Sequence, residues 1–310
     1  MGAVAAAGGS RRTRLRYVTE RRGFLATLLI SPAVIVIAAL VGAPLVLAAY
    51  LSFTDAQAGS LTGKWVGLAN FRHALHDPIF RGALWHTLTF TVISQAIVVV
   101  CAGLLAHALI RNFRGRWFLR FLVLLPWAAP IALTAIGFLW FYDPQASIFN
   151  WFLIKLHIVD PHNTPNWLGT PKAAMSSIIT VQAWRTIPFA TVIFLAGIAS
   201  IPEEVDDAAA IDGATGVKKF WYVSLPLQLP IAIVAVLFGI IFTATDMVVP
   251  YILTNGGPFN STQVLTTYSF QTGINAGNIG EGAAIALFML PVLAFVAIGM
   301  LFFARRAEVT

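Results

Sequence analysis

The stretch "GFLATLLISPAVIVIAALVGAPLVLAAYLSFT", Gly23 to Thr54, runs 32 residues without a charge. A helix that crosses a bilayer needs about 20 mostly apolar residues, and the apolar core of a cleaved signal peptide spans only about 7 to 15. In hydrocarbon every backbone N–H and C=O must be satisfied within the segment, which a helix does. The stretch therefore predicts a retained transmembrane helix near Phe24 to Leu51.

Working outward, further predominantly apolar runs lie near Leu84 to Ile110, Phe118 to Tyr142, Ala173 to Ser200, Leu229 to Leu253 and Gly282 to Ala304. The chain reads as an all-α polytopic membrane protein with six transmembrane helices. A basic N-terminal segment, 1–23, precedes a single membrane domain, 24–304, and a short tail, 305–310, follows it. The composition agrees: 58% of the 310 residues are apolar and 11% charged, against roughly 45–50% and about 25% in soluble domains.

Orientation follows from the placement of Lys and Arg, which resist translocation near span ends. Fourteen basic residues fall in the N-terminal segment, the second and fourth gaps and the C-terminus, including Arg111, Arg114, Arg116, Arg120, Lys218 and Lys219. Five fall in the alternate gaps: Lys64, Arg72, Arg81, Lys155 and Lys172. Both termini are expected in the cytoplasm. The net charge of +7 is thus accounted for by topology, and no nucleic-acid partner is expected.

Several chemistries are missing. No G-x-x-x-x-G-K-[ST] phosphate loop occurs, so this chain is not expected to hydrolyse ATP. The six histidines are scattered and form no H-E-x-x-H, and Cys101 stands alone, so neither a metal site nor a disulfide is expected. No G-x-S-x-G elbow appears.

The fourth gap, 201–228, concentrates five of the thirteen acidic residues in "IPEEVDDAAAIDGATGVKKFWYVSLPLQLP": Glu203, Glu204, Asp206, Asp207 and Asp212. Pro202 followed by acids favours a helix start, Ala208 to Ala210 propagate helix, and Gly213 permits a turn. The order Asp207-Ala208-Ala209, three residues, Gly213, nine residues, then Val223-Ser224-Leu225-Pro226 resembles the cytoplasmic EAA loop of bacterial ABC-importer permeases. Asp207 stands where that family carries Glu, and Val223 where it carries Ile. "VGLANF" (Val66 to Phe71), "WRTIPF" (Trp184 to Phe189) and "TNGGP" (Thr254 to Pro258) resemble segments of the sugar-importer branch related to the maltose permease, in its six-span form.

That resemblance implies a type I importer permease in a bacterial inner membrane, moving a di- or oligosaccharide or related carbohydrate. It implies three kinds of partner besides lipid: a second homologous permease, two cytoplasmic ATPase subunits that bind ATP and Mg, and an extracytoplasmic sugar-binding protein. The EAA loop would then form a coupling helix docked on an ATPase subunit. Glu203, Glu204, Asp207 and Asp212 are its candidate polar contacts, small Ala208 and Ala209 allow close approach, Gly213 turns the backbone, and Pro226 sets re-entry into the fifth span.

Two charges fall inside predicted spans, Arg185 and Asp246, and a charge facing lipid is costly, so each is expected to face protein or a water-filled path. Gln182, Arg185 and Thr186 share one helical face, and Gly239, Thr243 and Asp246 another. With Trp140, Trp184 and Tyr251 as aromatic platforms, these are candidates for a sugar path. The alternative, a structural Arg185–Asp246 pair with the aromatics packing the bundle, is equally open. For Asn255 and its glycines the choice lies between a plain turn and a gating or binding-protein contact. Competing classes are a stand-alone secondary transporter, for which inverted repeats would be expected but none is seen, and a membrane scaffold, for which two intramembrane charges are unexplained.

Overall fold

The computed structural model describes residues 22–60 and 62–309; most of the basic N-terminal segment lies outside them. Helix α1 runs through Arg22–Ile37, a π turn at Ala38–Gly42 and Ala43–Ser52. Then follow α2 (Ala69–His76), α3 (Pro78–Ile110), α4 (Arg116–Ala128), α5 (Ile131–Phe141), α6 (Ile148–Lys155), α7 (Pro171–Ala199) and α8 (Glu203–Ile211). Helix α9 is continuous over Gly216–Ala244. After it come α10 (Val248–Thr254), α11 (Leu265–Phe270), α12 (Ile279–Leu287) and α13 (Met289–Val309). The chain divides into two units, residues 1–51 and 52–310.

Five helical segments are long and apolar enough to cross a membrane, and the pair α4–α5 makes a sixth when counted as one. That pair bends by 96°, so the apolar run expected as one span over 118–142 is two helices meeting at a sharp angle. The cause lies in "PWAAP". Pro126 and Pro130 each lack a donor, and the residue before a proline is driven out of the helical region. Ala129 accordingly adopts φ −70°, ψ 138°.

Proline also shapes the other irregularities. The π turns at Ala38–Gly42 and Phe220–Ser224 each end two residues before a proline, Pro44 and Pro226. In each, the carbonyl four residues back from the proline lies inside the widened turn, which relieves the ring's clash with it. Pro226 therefore does not mark the fifth span's start, which moves back to Gly216, inside the predicted loop.

The fifth span also ends earlier than expected, at Ala244 rather than 253. Pro250 has no N–H to offer the Asp246 carbonyl, which instead accepts from Thr266 Oγ1 at 3.0 Å. Asp246 Oδ1 then takes the first amides of the next helix, Val248 at 2.7 Å and Val249 at 3.2 Å. A chain break capped in this way starts α10.

In the second unit, α3 lies along α7, and α9 packs on both. The contact is built from small side chains, with Ala102, Ala106, Ala183, Ala190 and Ala235 buried around Val98 and Phe194. Such residues let helix backbones approach closely where no hydrophobic effect drives association. A second cluster, around Phe90, Phe138, Ile178, Val181, Val249 and Leu253, joins α3, α5, α7 and α10. A third, around Phe80, Leu265, Ile285 and Met289, joins α3, α11, α12 and α13.

Candidate functional site

The structure brings four of the candidate path residues into one network. Arg185 Nη2, on α7, donates to Asp246 Oδ2 at 2.7 Å and to Gln182 Oε1 at 3.3 Å. Gln182 Nε2 reaches Thr243 Oγ1 on α9 at 3.2 Å, and so does Gln95 Nε2 from α3 at 2.9 Å. Asp246 is almost enclosed, with 2% of its side chain exposed, and both its oxygens are engaged. Asp246 thus sits in the break after the fifth span rather than on its helical face. Pairing Arg185 with Asp246 accounts for how two charges persist here: both Asp246 oxygens are bonded, while on Arg185 Nη2 makes both bonds and Nε is buried without a partner.

Gln95 was not among the sequence candidates. Its signal was the polar group Thr91, Ser94 and Gln95 inside an otherwise apolar run. Gly239 makes room for it, since a Cβ there would lie 2.2 Å from Gln95 Oε1.

The aromatic candidates divide. Trp184 is partly exposed one residue before Arg185 and meets Phe138 edge-on at 5.3 Å. Tyr251, on α10, packs on Phe270 at 5.3 Å. Trp140 is exposed on α5 and has no ring contact among the described residues. Asn255 ends α10 in the left-handed region, φ 48°. Its Oδ1 and carbonyl both accept from Gln271 Nε2, at 2.9 and 3.1 Å, so the "TNGGP" turn is tied to the segment after α11.

Around this turn the end of the unit is knit by polar contacts. The Tyr268 hydroxyl donates to the Asp77 carboxylate at the start of α3. Burial, with that carboxylate beside it, pushes the Tyr268 hydroxyl well above the usual tyrosine range. His73 Nδ1 meets Glu281 Oε1 at 2.6 Å, joining α2 to α12.

The fourth gap forms a helix–turn–helix. Pro202 precedes α8, and Glu203, Glu204 and Asp206 occupy its first turn, where the helix dipole favours acids. Asp206 pairs with Lys219 of α9 at 2.8 Å. Glu203, Glu204, Asp207 and Asp212 are exposed and make no ion pair among the described residues. Ala209 is buried beneath α8 while Ala208 faces outward. Gly213 takes φ +73°, a conformation that only glycine adopts freely. Around this turn Ile211 and Tyr222 are 86% and 80% exposed, and Val217 and Trp221 are exposed as well. An apolar rim thus stands beside exposed carboxylates at this turn.

The chain matches the model of the family described as "Binding-protein-dependent transport system inner membrane component" over residues 99–309. The chain belongs to that family. It is a multi-pass permease component of such a transport system. Among its relatives, the sulfoquinovosyl glycerol transport system permease protein SmoG of Agrobacterium fabrum is 32% identical over 86% of this chain and 85% of that protein. The trehalose/maltose transport system permease protein MalF of Thermococcus litoralis is 34% identical over 72% of this chain and 74% of its own. The fold resembles a crystal structure of a bacterial ABC transporter that imports the acidic polysaccharide alginate, with a TM-score of 0.78 and 20% identity, covering 94% of this chain and 99% of that one. The type I importer permease fold expected from the EAA-like loop is thus the fold observed.

Proposed function

We propose that this chain is a permease subunit of an ATP-driven importer that carries a di- or oligosaccharide or related carbohydrate into the cytoplasm. A second homologous permease, two ATPase subunits holding ATP and Mg, and an extracytoplasmic sugar-binding protein complete the assembly. Both termini and α8 face the cytoplasm, as the distribution of Lys and Arg supports. Relatives named for sulfoquinovosyl glycerol and for trehalose/maltose support the substrate class.

The observation that carries this proposal is α8, a short helix with free carboxylates and an exposed apolar rim, set at the end of the α7–α9 pair that also holds Arg185, Thr243 and Asp246. Docking of α8 in a groove of an ATPase subunit passes closure of the ATPase dimer to those helices. The buried Gln182–Arg185–Thr243–Asp246 network braces α7 against the break after α9, and Trp184, exposed beside it, faces the central part of the path. Hydrogen-bonding side chains with an aromatic plane suit a sugar.

The test is affinity purification of the tagged chain in mild detergent, followed by ATPase and uptake assays. An ATPase subunit and a second permease are expected in the eluate. Ala208→Glu, which places a charge on the outward face of α8, and Gly213→Leu, which strains its turn, are each expected to abolish coupled uptake while the protein still inserts. Normal uptake in both variants refutes the coupling role, and an ATPase-free homomer that transports points to a secondary transporter.

A further inference from the structure

Toward the end of the second unit opposite α8, residues 85–97 of α3 and the first turns of α7 form an open groove of about 490 Å³, lined by Trp85, His86, Lys172, Ser176 and Thr180 together with apolar residues such as Ile93 and Ile179. Small-molecule sites commonly measure about 300–1,000 Å³. We infer that this cleft is a second carbohydrate site, an outer station for a saccharide unit before it reaches Trp184 and the Arg185–Asp246 network. The inference rests on the carbohydrate-import proposal and adds a place that the proposal does not require.

The pattern on α7 carries it. Lys172, Ser176, Thr180 and Trp184 recur every four residues, so they form one stripe, and all four are exposed. A stripe facing lipid would be apolar, yet Ser176 and Thr180, inside the span, are polar, and Lys172 stands at its outer end. At 1.5 Å per residue, Thr180 lies about 6 Å along the axis from Trp184. The stripe therefore runs from the cleft to the central cluster.

The donors and acceptors of the cleft suit hydroxyl-rich ligands. Ser176 Oγ donates to the Ala173 carbonyl at 2.9 Å and Thr180 Oγ1 to the Ser176 carbonyl at 2.8 Å. Each hydroxyl has thus spent its proton and keeps lone pairs to accept from a sugar hydroxyl. His86 Nδ1 donates to the Gln263 carbonyl at 3.3 Å, so Nε2 of the neutral ring is an acceptor. Lys172, exposed at the rim, supplies a donor for an incoming acceptor. Trp85, 68% exposed, offers a plane for the apolar face of a pyranose ring.

The complete importer in proteoliposomes, supplied with maltose, trehalose and diacetylchitobiose in turn, tests this. In a Cys101→Ala background, Ser176→Cys is expected to react with a membrane-impermeant methanethiosulfonate, and the transported sugar is expected to slow that reaction at least fivefold. Trp85→Ala and Thr180→Val are expected to raise the uptake KM about three- to tenfold, with Trp85→Phe restoring most of it, which excludes a folding defect. A Ser176→Cys thiol that stays inert, or one that sugar does not protect together with unchanged KM in both other variants, overturns the outer site while leaving the import proposal intact. An unmodified complex that takes up none of the three sugars, and whose ATPase activity no loaded sugar-binding protein stimulates, overturns both.

Discussion

At the residue scale the decisive pair is Arg185 and Asp246. Both lie among apolar helices, where an isolated ion is strongly disfavoured, and each makes the other tolerable. Removing one partner leaves the other buried and unpaired, at a cost of about 3–5 kcal/mol. Asp246→Asn is therefore expected to lower the melting temperature in detergent by many degrees and to reduce uptake without releasing the ATPase subunit. The double variant Arg185→Gln, Asp246→Asn, in which no charge remains, is expected to recover most of the stability but not the uptake. Equal melting temperatures for the single and double variants would show that the pair does not hold the helices together.

At the element scale, glycines mark where backbones touch. A Cβ on Gly282 of α12 would lie 2.4 Å from Gly273 Cα and 2.6 Å from Gly273 N, both immovable main-chain atoms. Gly282→Ala must push α12 away from the segment after α11, and overpacking of this kind costs about 1–3 kcal/mol. Gly299 of α13, where a Cβ would meet nothing within 4 Å, serves as the control. Thermal unfolding in detergent is expected to show a clear loss for Gly282→Ala and none for Gly299→Ala. The sequence made the helices legible, because runs such as Gly23 to Thr54 admit no other structure in lipid. Their interruptions were also written there, in Pro130 and Pro250, but proline is tolerated inside α4 at Pro126, inside α7 at Pro188 and inside α9 at Pro230. Only the tertiary partners, Thr266 on the freed Asp246 carbonyl and Asp246 on the amides of α10, decide which proline breaks a helix. The central network was half legible for the same reason. Gln182, Arg185, Thr243 and Asp246 stood out as polar residues in spans, whereas Gln95 gains meaning only when Gly239 admits it to Thr243 from a third helix.

At the scale of the whole molecule, α9 joins the two functional ends. It is one helix of 29 residues, about 44 Å long, beginning three residues after Gly213 and ending two before Asp246. The Asp206–Lys219 pair spans α8 and α9, but both side chains are substantially exposed, so it contributes only about 0–1 kcal/mol and cannot by itself transmit force. Transmission must run through the helical backbone, and the π turn at Phe220–Ser224 is its least regular point. Two glycines there, Val223→Gly with Ser224→Gly, cost about 1–2 kcal/mol, too little to prevent insertion, and leave the surface of α8 unchanged. The ATPase subunit is therefore expected to co-purify at its normal stoichiometry while uptake falls at least tenfold and ATP hydrolysis no longer responds to the loaded binding protein. If uptake and stimulation both persist in that variant, the displacement of α8 reaches Asp246 by another route, through α7, whose end leads into α8 across only Ser200 to Pro202.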